Sequence, residues 1–100
     1  MDLLRDSYKY SYISTATSTN VTGMATGVPT TCKLIRIIVG ETAAGAITIY
    51  DALPAATTTT VGVLKASIAE GTYEFGVTVS QGIQVVTAGA SKVTVVWSRV

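Results

Sequence analysis

The stretch Cys32-Lys-Leu-Ile-Arg-Ile-Ile-Val-Gly40 decides the fold. It is nine residues long, rich in β-branched side chains and closed by a glycine, which is the length and composition of a strand and too short for a typical helix. Ile35, Ile37 and Val39 alternate with Leu34 and Ile38, so both sides of the strand are apolar. A strand of that kind sits inside a sheet with both faces covered.

Working outward, the same period of two recurs along almost the whole chain. Candidate strands lie at 8–16 (YKYSYISTA), 19–24 (TNVTGM), 32–40, 46–52 (AITIYDA), 63–69 (VLKASIA), 72–79 (TYEFGVTV), 83–88 (IQVVTA) and 92–99 (KVTVVWSR). In 92–99, Val93, Val95 and Trp97 share one side; in 72–79, Tyr73, Phe75, Val77 and Val79 do. These sides, with Ile35, Ile37, Val39, Ile47 and Ile49, form the expected core. Eight short strands separated by turns predict an all-β, single-domain antiparallel β-sandwich, jelly-roll or Ig-like. Residues 63–69 also fit helical spacing, but the turn AEGT leading into TYEFGV favours a hairpin strand. PAATTTT (54–60) reads as an exposed connection. The domain is expected over 10–100, preceded by an extended N-terminal arm over 1–9.

One hundred residues support one core and little more. Charged residues make up 13% of the chain, against about 25% in an average soluble domain, and threonines outnumber them. Thr and Ser hydroxyls hydrate such a surface, or partners cover it, because uncompensated charge at an interface costs desolvation. The net charge is +1, and Lys9, Lys33, Lys65, Lys92, Arg5, Arg36 and Arg99 are scattered singly, so no basic stripe exists to bind nucleic acid. No apolar run reaches the roughly 18 residues of a membrane span, and Met1–Tyr10 lacks a signal-peptide pattern, so synthesis and folding in a cytoplasm are expected. The single cysteine, Cys32, fits a buried strand position.

Chemistry is sparse. The chain has no histidine, the commonest general base and transition-metal ligand. Asp51, Glu41, Glu70, Glu74, Asp2 and Asp6 fall on different elements without convergence. Asp51 ends a strand, where an aspartate accepts backbone hydrogen bonds in the turn that follows. Gly40 and Gly45 bracket a turn with no helix behind it to bind phosphate. No catalytic, metal or cofactor site is expected, and no enzyme. Tyr8, Tyr10 and Tyr12 line one side of the first strand, an arrangement that grips a partner, closes a core or stacks a sugar. Together with Tyr50 and the arm residues Leu3, Leu4 and Arg5 they are the candidate partner contacts.

The segments YISTATSTNV, LIRIIVGETAAGAITIYDA and EGTYEFGVTVSQGIQVVTAGASKVTVVWSR, in that order from Tyr12 to Arg99, resemble a family of small bacteriophage virion proteins. The match rests on Ile47–Asp51, Gly71–Phe75, Gly82–Ala90 and Val93–Arg99. The resemblance implies a β-sandwich head decoration or cement protein, present in many copies on the outer capsid. It also implies contacts to the major capsid protein or other virion proteins, self-association on the particle, and no enzymatic activity. A neck, tail or fibre subunit is the alternative within the particle, and a host-surface carbohydrate-binding module the alternative outside it.

Overall fold

The computed structural model describes residues 8–21, 31–42, 44–53, 56–57 and 59–99. Among them are eight strands: β1 (Lys9–Ile13), β2 (Thr17–Asn20), β3 (Cys32–Glu41), β4 (Ile47–Asp51), β5 (Thr60–Leu64), β6 (Gly71–Val79), β7 (Ile83–Thr87) and β8 (Lys92–Arg99). They form two four-stranded antiparallel sheets, β1-β8-β3-β6 and β2-β7-β4-β5. Strand 1 pairs with 8, 2 with 7, 3 with 6 and 4 with 5. The chain is thus one long hairpin, folded at the β4–β5 connection and rolled up so that successive pairs fall alternately on the two sheets. Rolling then brings β8 against β3 and β7 against β4. This nesting is the jelly-roll topology, so of the two expected sandwiches the Ig-like one is set aside.

The core lies between the sheets. Ile37, Val93 and Val95 from the first sheet meet Ile47, Ile49, Ile83 and Val85 from the second, all fully buried, and Leu34, Val39 and Trp97 complete the packing. Each such aliphatic side chain contributes about 1.5–3 kcal/mol relative to exposure. Phe75 is half-buried and packs against this cluster from β6. Its ring comes within 2.9 Å of where a Cβ on Gly62 would lie, so the glycine in β5 is room for an aromatic ring from the opposite sheet. Cys32 is fully buried, as expected, and loss of solvation raises its thiol pKa, partly opposed by the Arg99 charge.

Three expectations change. First, β3 does not keep a single alternation. Leu34 faces Trp97 and Val77, while Arg36 faces Val96 and Glu74. Ile35 is therefore an extra residue relative to β8, and β6 answers with two, Phe75 and Gly76, the latter left-handed at φ 63°. The bulge switches the phase, so Leu34 as well as Ile37 and Val39 enters the core, while Ile35 is buried outside the main cluster. Nor is the outer side of β3 covered: Ile38 is 37% exposed. Second, the fifth strand is Thr60–Leu64 rather than 63–69. Lys65–Ile68 form a turn closed by Ile68 N–H donating to Lys65 C=O (3.2 Å), with Ser67 left-handed at φ 57°. Ile68 still packs against the core from that turn, which is why its apolar spacing imitated a strand. Third, the first strand stops at Ile13 and the second begins at Thr17, earlier than 19–24 suggested. Residues 22–30 and most of the expected arm (1–7) lie outside the described residues, and Lys9 already belongs to β1.

Two close contacts fix one end of the sandwich, where β7 finishes. A Cβ on Gly45 would lie 2.5 Å from the Ala88 carbonyl carbon and closer still to Gly89 N, so only glycine fits beside Ala88 and Gly89 here, where Ala88 N–H bonds Ala46 C=O (3.0 Å). The buried Thr87 hydroxyl donates to Thr15 C=O (2.7 Å) and accepts from Thr17 N–H (3.0 Å), tying the β1–β2 link to β7.

Trp97 is 4% exposed and faces Leu34 across β3. Trp97→Ala is expected to lower unfolding free energy by about 3–5 kcal/mol, the range for large aromatic truncations in a core, as measured by chemical denaturation. A loss under about 1 kcal/mol, in the range of ordinary surface substitutions, would mean that the last strand is faced the other way.

Candidate interaction face

The outer face of the sheet β1-β8-β3-β6 carries four of the five exposed large hydrophobic side chains among the described residues, Tyr8, Tyr10, Tyr12 and Ile38. Antiparallel register places Tyr12, Thr94, Ile38 and Thr72 in one row across the four strands, and Tyr10, Val96, Arg36 and Glu74 in the next. Along β1 the period of two puts Tyr8, Tyr10 and Tyr12 outward, exposed by 59%, 74% and 59%. Ser11 and Ile13 turn the other way, Ser11 donating to Val21 C=O (3.4 Å) and Ile13 entering the core. The stripe predicted from sequence is therefore present and solvent-facing.

Two ion pairs lie on and beside this face, and Lys33 stands exposed on it in the row with Ser98 and Thr78. Arg36 Nε donates to Glu74 Oε2 at 2.9 Å, and Lys92 Nζ lies 3.2 Å from Glu41 Oε1. The hydrogen bond and charge of Glu41 raise the Lys92 pKa, so the ammonium is held charged. Such exposed pairs add little to stability. Apart from Lys33, they leave the sheet face with aromatic, β-branched and hydroxyl side chains and little net charge. Arg99 sits 5.9 Å from the Trp97 ring centroid, close enough for a cation–π contact at the strand end.

The remaining expected contacts are dispersed. Tyr50 is half-buried on β4 of the other sheet, opposite Gln84 and Thr60. It is not brought together with the tyrosine stripe. Leu3, Leu4 and Arg5 lie outside the described residues. Sequence reasoning missed Ile38, Val96, and the Arg36–Glu74 pair. Only the register across β3, which the bulge at Ile35 alters, places them beside the tyrosines.

A second feature is a cleft of about 310 Å³ lined by Asp51, Leu53, Ala56, Thr59, Ser80 and Gln81. Asp51 Oδ1 accepts from Gln81 N–H (2.8 Å), and Oδ2 accepts from Ser80 N–H (3.1 Å) and Ser80 Oγ (3.4 Å). Asp51 thus holds the β6–β7 turn, far from it in sequence. Its own N–H donates to Thr59 C=O (2.7 Å), which closes the β4–β5 connection beside it. Glu41 and Glu74 are engaged with lysine and arginine elsewhere, and no group of three His, Cys, Asp or Glu is placed to hold a metal ion among the described residues.

Comparison with protein-family models, with curated proteins and with solved structures finds no match to this chain.

The staple at Asp51 can be tested by a pair of substitutions. Asp51→Asn keeps an acceptor oxygen and is expected to cost less than Asp51→Ala, which strips the β6–β7 amides of their acceptor and should cost about 1–2 kcal/mol by urea unfolding, moderated by exposure of Ser80 to water. Equal effects of the two would show that the hydrogen bonds do not carry the contact.

Proposed function

We propose that this chain is a bacteriophage virion protein, a non-enzymatic capsid decoration or cement subunit. In this reading it lies on the outer capsid in many copies and stabilises the head through contacts to the major capsid protein or other virion proteins. The observation that carries the reading is the tyrosine stripe: three strongly exposed aromatic side chains on a sheet face with few charges, of which Arg36 and Glu74 pair with each other. Tyrosines are enriched at interfaces because they bury a large apolar area at low entropic cost while the hydroxyl keeps a polar partner. A monomer that is charge-poor overall and displays such a face has a surface suited to being covered.

The jelly roll supports the same reading at the level of architecture, since viral shell domains use it, although lectins use it too. The ordered sequence segments from Tyr12 to Arg99 add the resemblance to small virion proteins. Cementing works by repetition. Symmetry multiplies a modest contact over the whole shell, so no single interface has to be strong. A neck, tail or fibre subunit would use the same face in fewer copies. A sugar-binding role is disfavoured on this surface because the chain's one tryptophan is buried in the core and leaves the tyrosines without it.

Quantitative mass spectrometry of purified particles of the phage that encodes the chain tests the proposal. The expected result is a copy number comparable to that of the major capsid protein, and Tyr10→Ala should weaken attachment by about 2 kcal/mol, roughly thirtyfold in occupancy constant. A stoichiometry of a single ring would transfer the protein to the neck or tail, and its absence from particles would overturn the virion reading.

A further inference from the structure

The edge of β1 carries a symmetry that the side-chain face alone does not reveal. In the order β1-β8-β3-β6, β1 bonds β8 on one side, and among the described residues no strand pairs with its other side. An open edge of that kind presents unpaired backbone donors and acceptors to any strand of matching pattern. The pattern here, Tyr8-Lys9-Tyr10-Ser11-Tyr12, reads the same in both directions at its outward positions.

From this we infer that two copies of the chain pair β1 with β1, antiparallel, about a two-fold axis through Tyr10. The register follows by elimination. Pleating requires outward residues to face outward residues, so the axis must pass through a residue and not between two. An axis at Lys9 sets two like charges directly opposite each other, which is unfavourable. At Ser11 it strands Tyr8 against Ser14, and at Tyr8 it sets Tyr10 against Asp6 and Tyr12 against Leu4. At Tyr12 the remaining tyrosines face Ser14 and Ala16. Only at Tyr10 does every tyrosine meet a tyrosine, Tyr8 with Tyr12 of the second copy and Tyr10 with its own counterpart, while Lys9 meets Ser11.

The consequence is a continuous eight-stranded sheet whose two outer faces lie on the same side, because a two-fold relating antiparallel strands within a sheet stands perpendicular to it. Six tyrosines then form a ladder at its centre. The contact is isologous and closes as a dimer, so it does not propagate into fibres. A five-residue strand and three tyrosines bury less than the roughly 800 Å² per partner of a standard interface, so association is concentration-dependent. The pairing consumes the backbone edge and leaves the tyrosine rings facing outward. It is independent of the virion reading and is tested on the purified chain alone.

Single cysteine substitutions read the register directly, and the native Cys32 does not interfere because it is fully buried. Tyr10→Cys should form a disulfide-linked dimer under mild oxidation. Tyr8→Cys and Tyr12→Cys should each crosslink roughly tenfold more slowly alone, yet join one another when mixed, since the pairing raises effective concentration only between facing positions. Val63→Cys, exposed on the other sheet, is the control for random collision. Unmodified chain should show a weight-average mass rising from monomer to dimer with concentration in sedimentation equilibrium. A monomer at all concentrations, or Tyr10→Cys crosslinking no faster than the Val63→Cys control, would overturn the inference; fastest crosslinking at Tyr8 or Tyr12 alone would overturn the register.

Discussion

Everything in this fold depends on the pairing of β3 with β8. It is the only contact that joins the middle of the first sheet, and it sets Leu34 opposite Trp97, Ile37 opposite Val95 and Val39 opposite Val93. A slip of one residue would turn the whole of one strand's apolar set away from the core, so the register is strongly specified. It yields at Ile35 and again at the end of β3, between Val39 and Glu41. The extra residue at Ile35 keeps both halves of the strand apolar inward while twisting the sheet, and Phe75 with Gly76 in β6 absorbs the offset on the far side. Phe75 then reaches across the sandwich to the space left by Gly62. One irregularity thus links the two sheets as well as two strands within one of them.

The parts of this that period-two patterning can express were legible in the sequence. Val93, Val95 and Trp97 alternate without interruption and are buried together, and Tyr8, Tyr10 and Tyr12 alternate and are exposed together. What patterning cannot express is a change of phase. The two-sided apolarity of CKLIRIIVG looked like a strand covered on both faces, whereas the bulge turns much of it to one face and leaves Ile38 at the surface. The fifth strand was displaced because Ile68 reaches the core from a left-handed turn at Ser67, and burial without a strand leaves the same apolar mark in the sequence. Contacts across long separations left no mark at all. Asp51 holds residues 29 and 30 positions away, and Gly45 is required by Ala88 and Gly89.

The functional reading grows from the same pairing. Because β8 lies between β1 and β3, the tyrosine stripe is set in rows with Val96 and Ile38, so three exposed aromatics become the edge of a wider, charge-poor face. The arginine and glutamate on that face sit on adjacent strands and neutralise one another. A scarcity of charge that is unusual for an isolated domain fits the proposed role, because a subunit covered by neighbours would oppose close packing if it carried like charges. Threonine, abundant in the chain, serves both conditions, since its methyl packs on a sheet and its hydroxyl hydrates or bonds as Thr87 does.

The claim that this face is covered in the working protein is most directly tested by hydroxyl-radical footprinting, comparing the isolated chain with the chain on purified particles. Tyr8, Tyr10, Tyr12 and Ile38 should be readily oxidised in the isolated chain and protected on the particle, while Val63 on the opposite sheet stays reactive in both. Equal oxidation of the tyrosines in the two states, with protection appearing at Val63 instead, would contradict the account.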